Sequence, residues 1–599
     1  MSHSRRKFFG WAAAALAAGA RALWRDAEAA GLAKQAELAA QPEPVSLEPH
    51  PEPGNLPSQR ERLFAGAPAP DDPLELLYSR RLAFDEGQPL ITVRVVEGRR
   101  EVALSPRGPL TVFARSAQGE PKLALENGSP GRWTVRLEGG QPGVGASWVE
   151  LEQLRFNDKA GLAHAKEEWV RKGVPVRVAT VGEAYGIAGH VVDTRRYSIL
   201  AEGDATETGA QAQAKDLAVR FGMRLQIHRE LASRPEGLIE LRDPSGGLAA
   251  QGQGALEFRC DQGLVVEEVE FGMGYSFHGF ERRTYPGRLY ATVDARGLLA
   301  LVAALPMERL VKGVVPSEIF PHAHLEALKS QAVTARGEVL AKVGARHLGD
   351  PYLLCAEQHC QVYKGISAEE RGTDAAVDQT RGEALFARVA APGETITRLV
   401  DSVYSAVCGG YTEDNDVVWG GPANPSLRGR PDFDPRAPGM AAFARGIGEK
   451  LVGKFVRLAK IPSYCSLSGL AKADKIRWRR ILSAEEVDRL CAPLGVGAVK
   501  SLAVEGRGIS GRARALHVVG AKSSARVYGE LQIRRLFKNL NSGMLIVERD
   551  HGNWVFTGGG WGHGSGMCQT GAVGRAQRGA TYRQILGWYY SGAVPEKIY

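Results

Sequence analysis

"LVKGVVPSEIFPHAHLEALKSQAVTAR", residues 310–336, is the stretch on which the fold turns. Upstream of it, from Tyr285, two apolar runs read as strands, and the quoted stretch opens as a short helix holding Glu318. After Pro321 a second helix follows. Leu325, Leu328, Ala332, Ala335 and Val339 fall at helical spacing on one face, and Lys329 and Arg336 lie together beside that stripe. Two strands feeding two helices across a proline break mark an α+β core beginning at residue 285. Glu318 has two readings here. It is either a carboxylate at a helix start, stabilised by the dipole, or a carboxyl desolvated by Val314, Val315, Pro316, Ile319 and Phe320 and so kept protonated at neutral pH.

Downstream, "HLGDPYLLCAEQHCQVYKG" (347–365) places His347, Cys355, His359 and Cys360 within fourteen residues. Two imidazoles and two thiolates suit tetrahedral zinc, although H-x7-C-x3-H-C is not the usual C-x2-C spacing. "SAVCGGYTEDNDVVWGG" (405–421) sets Cys408 before Gly409 and Gly410, with Tyr411 and Trp419 available either for core packing or as exposed faces. "GGGWGHGSGMCQTGA" (558–572) gathers seven glycines around Trp561, His563, Cys568 and Gln569. Glycine is used where φ is positive or another group must come close. The Trp, His and Met argue against a flexible linker, which leaves a rigid, backbone-lined site.

In this order the motifs resemble the SpoIID/LytB family, the stage II sporulation protein D-like lytic transglycosylases of peptidoglycan, over roughly residues 285–599. The resemblance implies a SpoIID-like α+β catalytic core that cleaves glycan strands between N-acetylmuramic acid and N-acetylglucosamine, forming a 1,6-anhydro product. It assigns Glu318 as the catalytic glutamate, acting first as acid and then as base. It implies a substrate groove formed by Lys329, Arg336, Gln361, Tyr363, Gly409, Gly410, Tyr411, Trp419, Trp561, His563 and Gln569, with the glycines letting main chain approach the sugar. Lys329 and Arg336 would bind sugar oxygens or a lactyl carboxylate; as bare sequence they also fit solvated helix cations. His563 is a second acid/base or a hydrogen-bonded wall residue, the latter preferred because one carboxyl group suffices. A structural Zn2+ on His347, Cys355, His359 and Cys360 follows from the same resemblance. Cys408 and Cys568 depart from the family's small polar residues. Cys465 and Cys491, flanking "RWRRILSAEEVDRL" (477–490), could pair.

The other half of the chain is less specific. At 599 residues, 44% hydrophobic and 24% charged, it is an ordinary globular composition spread over several domains. A net charge of +9 suits an acidic polymer, but no basic block interleaved with aromatics points to nucleic acid. "SRRKFFG" (4–10), the apolar "WAAAALAAGARAL" (11–23) and Ala27-Glu28-Ala29 read as a cleavable export signal over 1–35, twin-arginine or Sec, directing the protein to the periplasm or cell envelope. The Pro-rich segment 36–75 reads as a linker. "LITVRVV", "EVALS", "LTVFARS" and "WTVRLEG" alternate as a β-rich domain over 76–165, and 166–284 reads as β-α-β followed by further strands. The expectation is therefore a mixed α+β, multidomain chain whose β-rich N-terminal domains precede the core at 285–599. Its partners would be peptidoglycan glycan strands and an amidase or other cell-wall protein. Two other readings share these motifs. One is a non-catalytic glycan-binding amidase enhancer; the other is a zinc peptidase or amidase, disfavoured because no H-E-x-x-H occurs and a closed Cys/His set leaves no place for water.

Overall fold

In the computed structural model of the chain, residues 69–599 are described, apart from 188, 222, 224, 274–276 and 392–393. Contacts divide the chain into Met1–Arg62 and Leu63–Tyr599, and every described residue belongs to the second unit. The expected export signal, and the linker up to residue 68, lie outside the described residues. The first described helix opens before the expected boundary at 75: Asp72 accepts the Leu74 N–H at 2.8 Å, and Pro73 starts the short helix Pro73–Leu77. Pro is well placed there because the first helical N–H has no partner to lose.

The chain is mixed α and β, as expected. Its largest sheet runs Ala83–Asp85, Gln88–Arg99, Leu299–Pro306, Gly279–Val293, Ala255–Phe271, Glu101–Pro106, Trp133–Gln141, Glu236–Arg242, Leu248–Gln253. Leu299–Pro306 is buried along almost its whole length, as an unbroken apolar run requires when both faces are covered. The domain boundary read at 284 does not coincide with any edge of this sheet. Ala255–Phe271 and Gly279–Val293 form one antiparallel pair with Leu264 opposite Tyr285, so the boundary falls inside a strand.

The boundary at 165 is displaced for a similar reason. Val144–Arg155, Val176–Val181, Arg196–Ala201 and Gln226–Ser233 make a separate antiparallel sheet with helices Lys159–Arg171 and Glu207–Phe221. This βαββαβ unit, with its strands in the order fourth, first, third, second, has the ferredoxin-like arrangement. It is inserted between Trp133–Gln141 and Glu236–Arg242, which pair directly with Val135 opposite Leu241. The β-rich region is thus one sheet interrupted by an excursion, not two units in series.

Leu299–Pro306 leads directly into α1, Met307–Glu318. Leu310, Val311, Val314 and Val315 bury one side of α1. Pro316 lies in the last turn, and Ile319 is already extended, so the helix ends at Glu318. After the turn, α2, Leu325–Lys342, is buried nearly all round, not only along the expected stripe. The buried set includes Gln331, Arg336, Glu338 and Lys342, while Leu325, expected in the stripe, is exposed. Near the C-terminus, Tyr404–Ser405 pairs in parallel with Met567–Cys568, and α3, Gln569–Ala576, packs on α2. Between these returns, residues 409–566 build two hydrophobic cores of their own, one around Phe433, Phe443 and Phe455 and one around Leu516, Phe537 and Phe556.

Candidate active site

Glu318 is the last residue of α1, not the first, so the negative end of the helix dipole opposes its ionisation. Its Oε1 accepts the Val362 N–H at 2.6 Å. Burial pushes the carboxyl above the usual range, while the Val362 N–H, Lys342, the Gln569 amide and Lys364 pull it back. Among the described residues no ion pair holds it. Val314, Val315 and Ile319 supply that burial as expected, but Phe320 turns outward and is 40% exposed. Phe320 is therefore a surface aromatic two residues from Glu318.

Two sets of hydrogen bonds fix side chains in this part of the core. Gln569, the first residue of α3, donates through Nε2 to Glu318 O at 2.9 Å and to Gln331 Oε1 at 3.2 Å. Tyr404 OH donates to Gln361 Oε1 at 3.0 Å, and Gln361 Nε2 donates to Ala335 O at 3.0 Å. Tyr404 O in turn accepts from His563 Nε2 at 2.8 Å. The Ser565 N–H donates to His563 Nδ1, so the ring is the neutral Nε2–H tautomer. Burial pushes His563 down to about 4, which removes it as an acid near neutrality and leaves the wall role. Trp419, 37% exposed, stacks obliquely on His563 at 4.9 Å.

Several expected substrate contacts are structural instead. Arg336 is fully buried and grips Glu308 with both Nε and Nη2 at 2.8 and 2.6 Å, so it does not line a groove beside Lys329. Lys329 pairs with Glu326 at 2.8 Å. Tyr363 is buried against Tyr285 and α1, where a Cβ on Gly313 would meet its ring at 2.4 Å. Tyr411 is 1% exposed and packs edge-on to Phe433. Trp561 is half-buried with the Lys475 ammonium over its ring. The glycines bring main chain to main chain: a Cβ on Gly409 would meet Gly560 N at 2.7 Å, and one on Gly566 would meet Val403 O at 2.0 Å. They close two loops on each other, and their backbone is not free for a sugar.

His347, Cys355, His359 and Cys360 do converge, with donor atoms all within 4.8 Å of one another. His347 Nε2 lies 3.3 Å from Cys360 Sγ, and His359 Nδ1 lies 3.7 and 3.6 Å from the two sulfurs. Donors on a tetrahedral zinc sit about 3.6 Å apart, given metal–ligand distances of ~2.0–2.3 Å. The four residues fit the ion. Asp350 Oδ2 holds His347 Nδ1 at 2.8 Å, an outer partner that fixes the ring for ligation. Cys355 is anchored by parallel pairing of Leu354–Cys355 with Gln88–Arg99. All seven cysteines are free and buried; Cys465 lies with Cys408 and Cys568, and Cys491 lies in a different core, so the suggested Cys465–Cys491 pair is not formed.

Sequence reading also passed over Glu338. Burial pushes its carboxyl up to about 7; Lys342 pulls it down, and Asp401 and Glu318 push it further. Its spacing to Lys342 at i,i+4 is that of an ordinary surface pair, so no signal marked it. Asp350, three residues after His347, was the more legible omission.

A half-buried carboxyl at the end of a helix, with the Val362 N–H and the Gln569 amide beside it, defines a candidate acid/base site. Residues 295–386 match the family described as Stage II sporulation protein, SpoIID, and residues 414–566 match a domain of unknown function, DUF8618. Residues 295–386 thus carry the SpoIID-family part of the chain. The chain is 28% identical over 333 residues to an uncharacterised protein of Brachyspira hyodysenteriae, covering 55% of this chain and 76% of that one. It is 27% identical over 299 residues to the amidase enhancer of Bacillus subtilis, covering 47% of this chain and 40% of that relative. It is 26% identical over 300 residues to stage II sporulation protein D of Bacillus amyloliquefaciens, covering 49% and 74%. No helix among the described residues is long and apolar enough to cross a membrane.

Proposed function

We propose that the protein is a peptidoglycan lytic transglycosylase of the cell envelope in which Glu318 is the single acid/base. The observation that carries this reading is the Glu318 carboxyl, raised by burial at the negative end of α1, with the Val362 N–H on its Oε1 and no ion pair among the described residues. A protonated carboxyl gives its proton to the leaving glycosidic oxygen; the resulting carboxylate then takes the proton of the C6 hydroxyl as that oxygen closes on C1. No second carboxylate and no water are needed, unlike hydrolysis. Val362 N–H steadies the carboxylate once formed, and Gln569 fixes the main chain beneath it. Trp419 and Phe320 offer exposed faces for sugar rings. Zn2+ on His347, Cys355, His359 and Cys360 would be structural, with four protein donors and no open position.

The relative named amidase enhancer supports a second reading, in which the same surface binds glycan without cutting it and serves an amidase. Incubating the protein with purified glycan strands and weighing the products separates the two. Products one water lighter than those of hydrolysis support the lyase. Retention on peptidoglycan without any product supports the enhancer, and products with reducing ends contradict both.

A further inference from the structure

A second set of metal donors lies away from the histidine-containing cluster. Cys408 Sγ, Asp432 Oδ, Cys465 Sγ and Cys568 Sγ all come within 4.8 Å of one another, and all four residues are buried. Cys408 Sγ is 3.9 Å from Cys465 Sγ and 3.3 Å from Asp432 Oδ2. On a tetrahedral zinc with Zn–S ~2.3 Å and Zn–O ~2.1 Å, two sulfurs sit about 3.8 Å apart and a sulfur and an oxygen about 3.6 Å. The spacing is that of donors around one ion.

The surroundings are arranged for anions in the same way. The Gly410 N–H points at Cys408 Sγ at 3.4 Å, the Cys408 N–H at Cys568 Sγ at 3.2 Å, and the Gly571 N–H at Cys568 Sγ at 3.3 Å. Cys568 is the N-cap of α3, where the dipole favours a thiolate. Ser463 Oγ lies 3.2 Å from Cys465 Sγ. Asp432 is split between two tasks. Its Oδ1 accepts from Tyr589 OH at 2.7 Å and Arg575 Nη2 at 3.1 Å, which leaves Oδ2 toward the sulfurs. That is how a carboxylate is held for one-oxygen ligation. Three thiolates and a carboxylate on a divalent ion carry two net negative charges. Arg575 meets Asp432, and Arg477, which donates to Gly409 O at 2.9 Å, flanks the cluster.

We propose that Cys408, Asp432, Cys465 and Cys568 bind a second structural Zn2+, which staples the neck of the inserted region to the core. Cys408 precedes the 414–566 match and Cys568 follows it, while Asp432 and Cys465 lie within it. One ion would therefore tie four distant segments together and hold α3, with Gln569, against α1. Such a site gives the two cysteines of the glycine-rich loops, Cys408 and Cys568, a role as ligands. The site is independent of the proposed activity, so failure of either leaves the other standing.

The test is native mass spectrometry and metal analysis of the full chain produced with zinc. The expected mass excess over the denatured chain is two zinc ions. Cys355→Ser with Cys360→Ser should lower the count to one, as should Cys408→Ser with Cys568→Ser, whereas Cys491→Ala should leave it at two. Should either double variant fail to fold, cobalt replacing zinc in the wild type supplies the readout: two ions per chain, with the strong visible absorption of tetrahedral thiolate cobalt. A wild-type count of one, or a disulfide joining any two of Cys408, Cys465 and Cys568, overturns the proposal.

Discussion

Helix α1 carries two glutamates ten residues apart, and their carboxyls are shifted in opposite directions. Burial pushes Glu308 up as it does Glu318, but Arg336 grips both oxygens, Tyr599 OH and the Gly382 N–H add to Oε1, and the carboxyl ends below its usual value. Glu318, at the other end, has one close N–H and is raised. Burial alone does not decide whether a carboxyl is structural or chemical. The inventory of partners does, together with which end of the dipole the residue occupies.

The largest effect expected from this contrast is on stability. Glu308→Gln leaves Arg336 charged and uncompensated in the core, which should cost about 3–5 kcal/mol near neutral pH, measured by denaturant unfolding. The pH trend distinguishes the two residues further. Glu308 has a depressed pKa, so its stabilisation is present above the unfolded value near 4.5 and is lost as pH falls through the folded one. The deficit of Glu308→Gln should therefore shrink in acid. Glu318 has a raised pKa, so its contribution is full below 4.5 and is lost as pH rises through the folded value. Glu318→Gln should consequently unfold no more easily than wild type at alkaline pH. Equal losses in both variants would erase the contrast.

A smaller effect is expected where the wall meets solvent. Trp419→Ala removes an exposed aromatic face and should weaken glycan retention by about 1 kcal/mol, or roughly fivefold, in a co-sedimentation assay. Unchanged retention would move the groove elsewhere. The smallest concerns His563, whose ring should stay neutral from pH 8 to 5 and titrate near 4 by NMR. Its contribution to stability is full above 6.5 and is lost progressively as pH falls from there through about 4. A midpoint near 6.5 would restore it as a second acid/base.

Much of this architecture was legible in the sequence because local pattern and tertiary role agree. The break at Pro321 separates α1 from α2, and the ligand types of the first cluster sit close enough in the chain to be recognised together. Domain limits were less legible, since the alternation in 88–141 and 236–306 cannot show that these strands share one sheet across an inserted βαββαβ unit. Arg336 and Tyr363 are assigned to the groove by the resemblance, which does not show whether a side chain is buried; Glu308 and Gly313 across the fold decide that. The second cysteine cluster was invisible for the plainest reason. Its donors are spread over 160 positions and meet through the pairing of Tyr404–Ser405 with Met567–Cys568 and the bridges Tyr411–Pro431 and Phe433–Ser463.

The measurement that bears most directly on the role of Glu318 is the turnover of Glu318→Gln on purified glycan strands, beside its melting temperature and its retention on peptidoglycan. Glutamine keeps the acceptor for the Val362 N–H but cannot donate a proton to the leaving oxygen. The expected result is a drop of ~10²- to 10⁴-fold or more in release of anhydro-sugars, with melting and retention at wild-type levels. Turnover equal to wild type would show that the raised carboxyl at the end of α1 is not the acid, and the account of the site would fall with it.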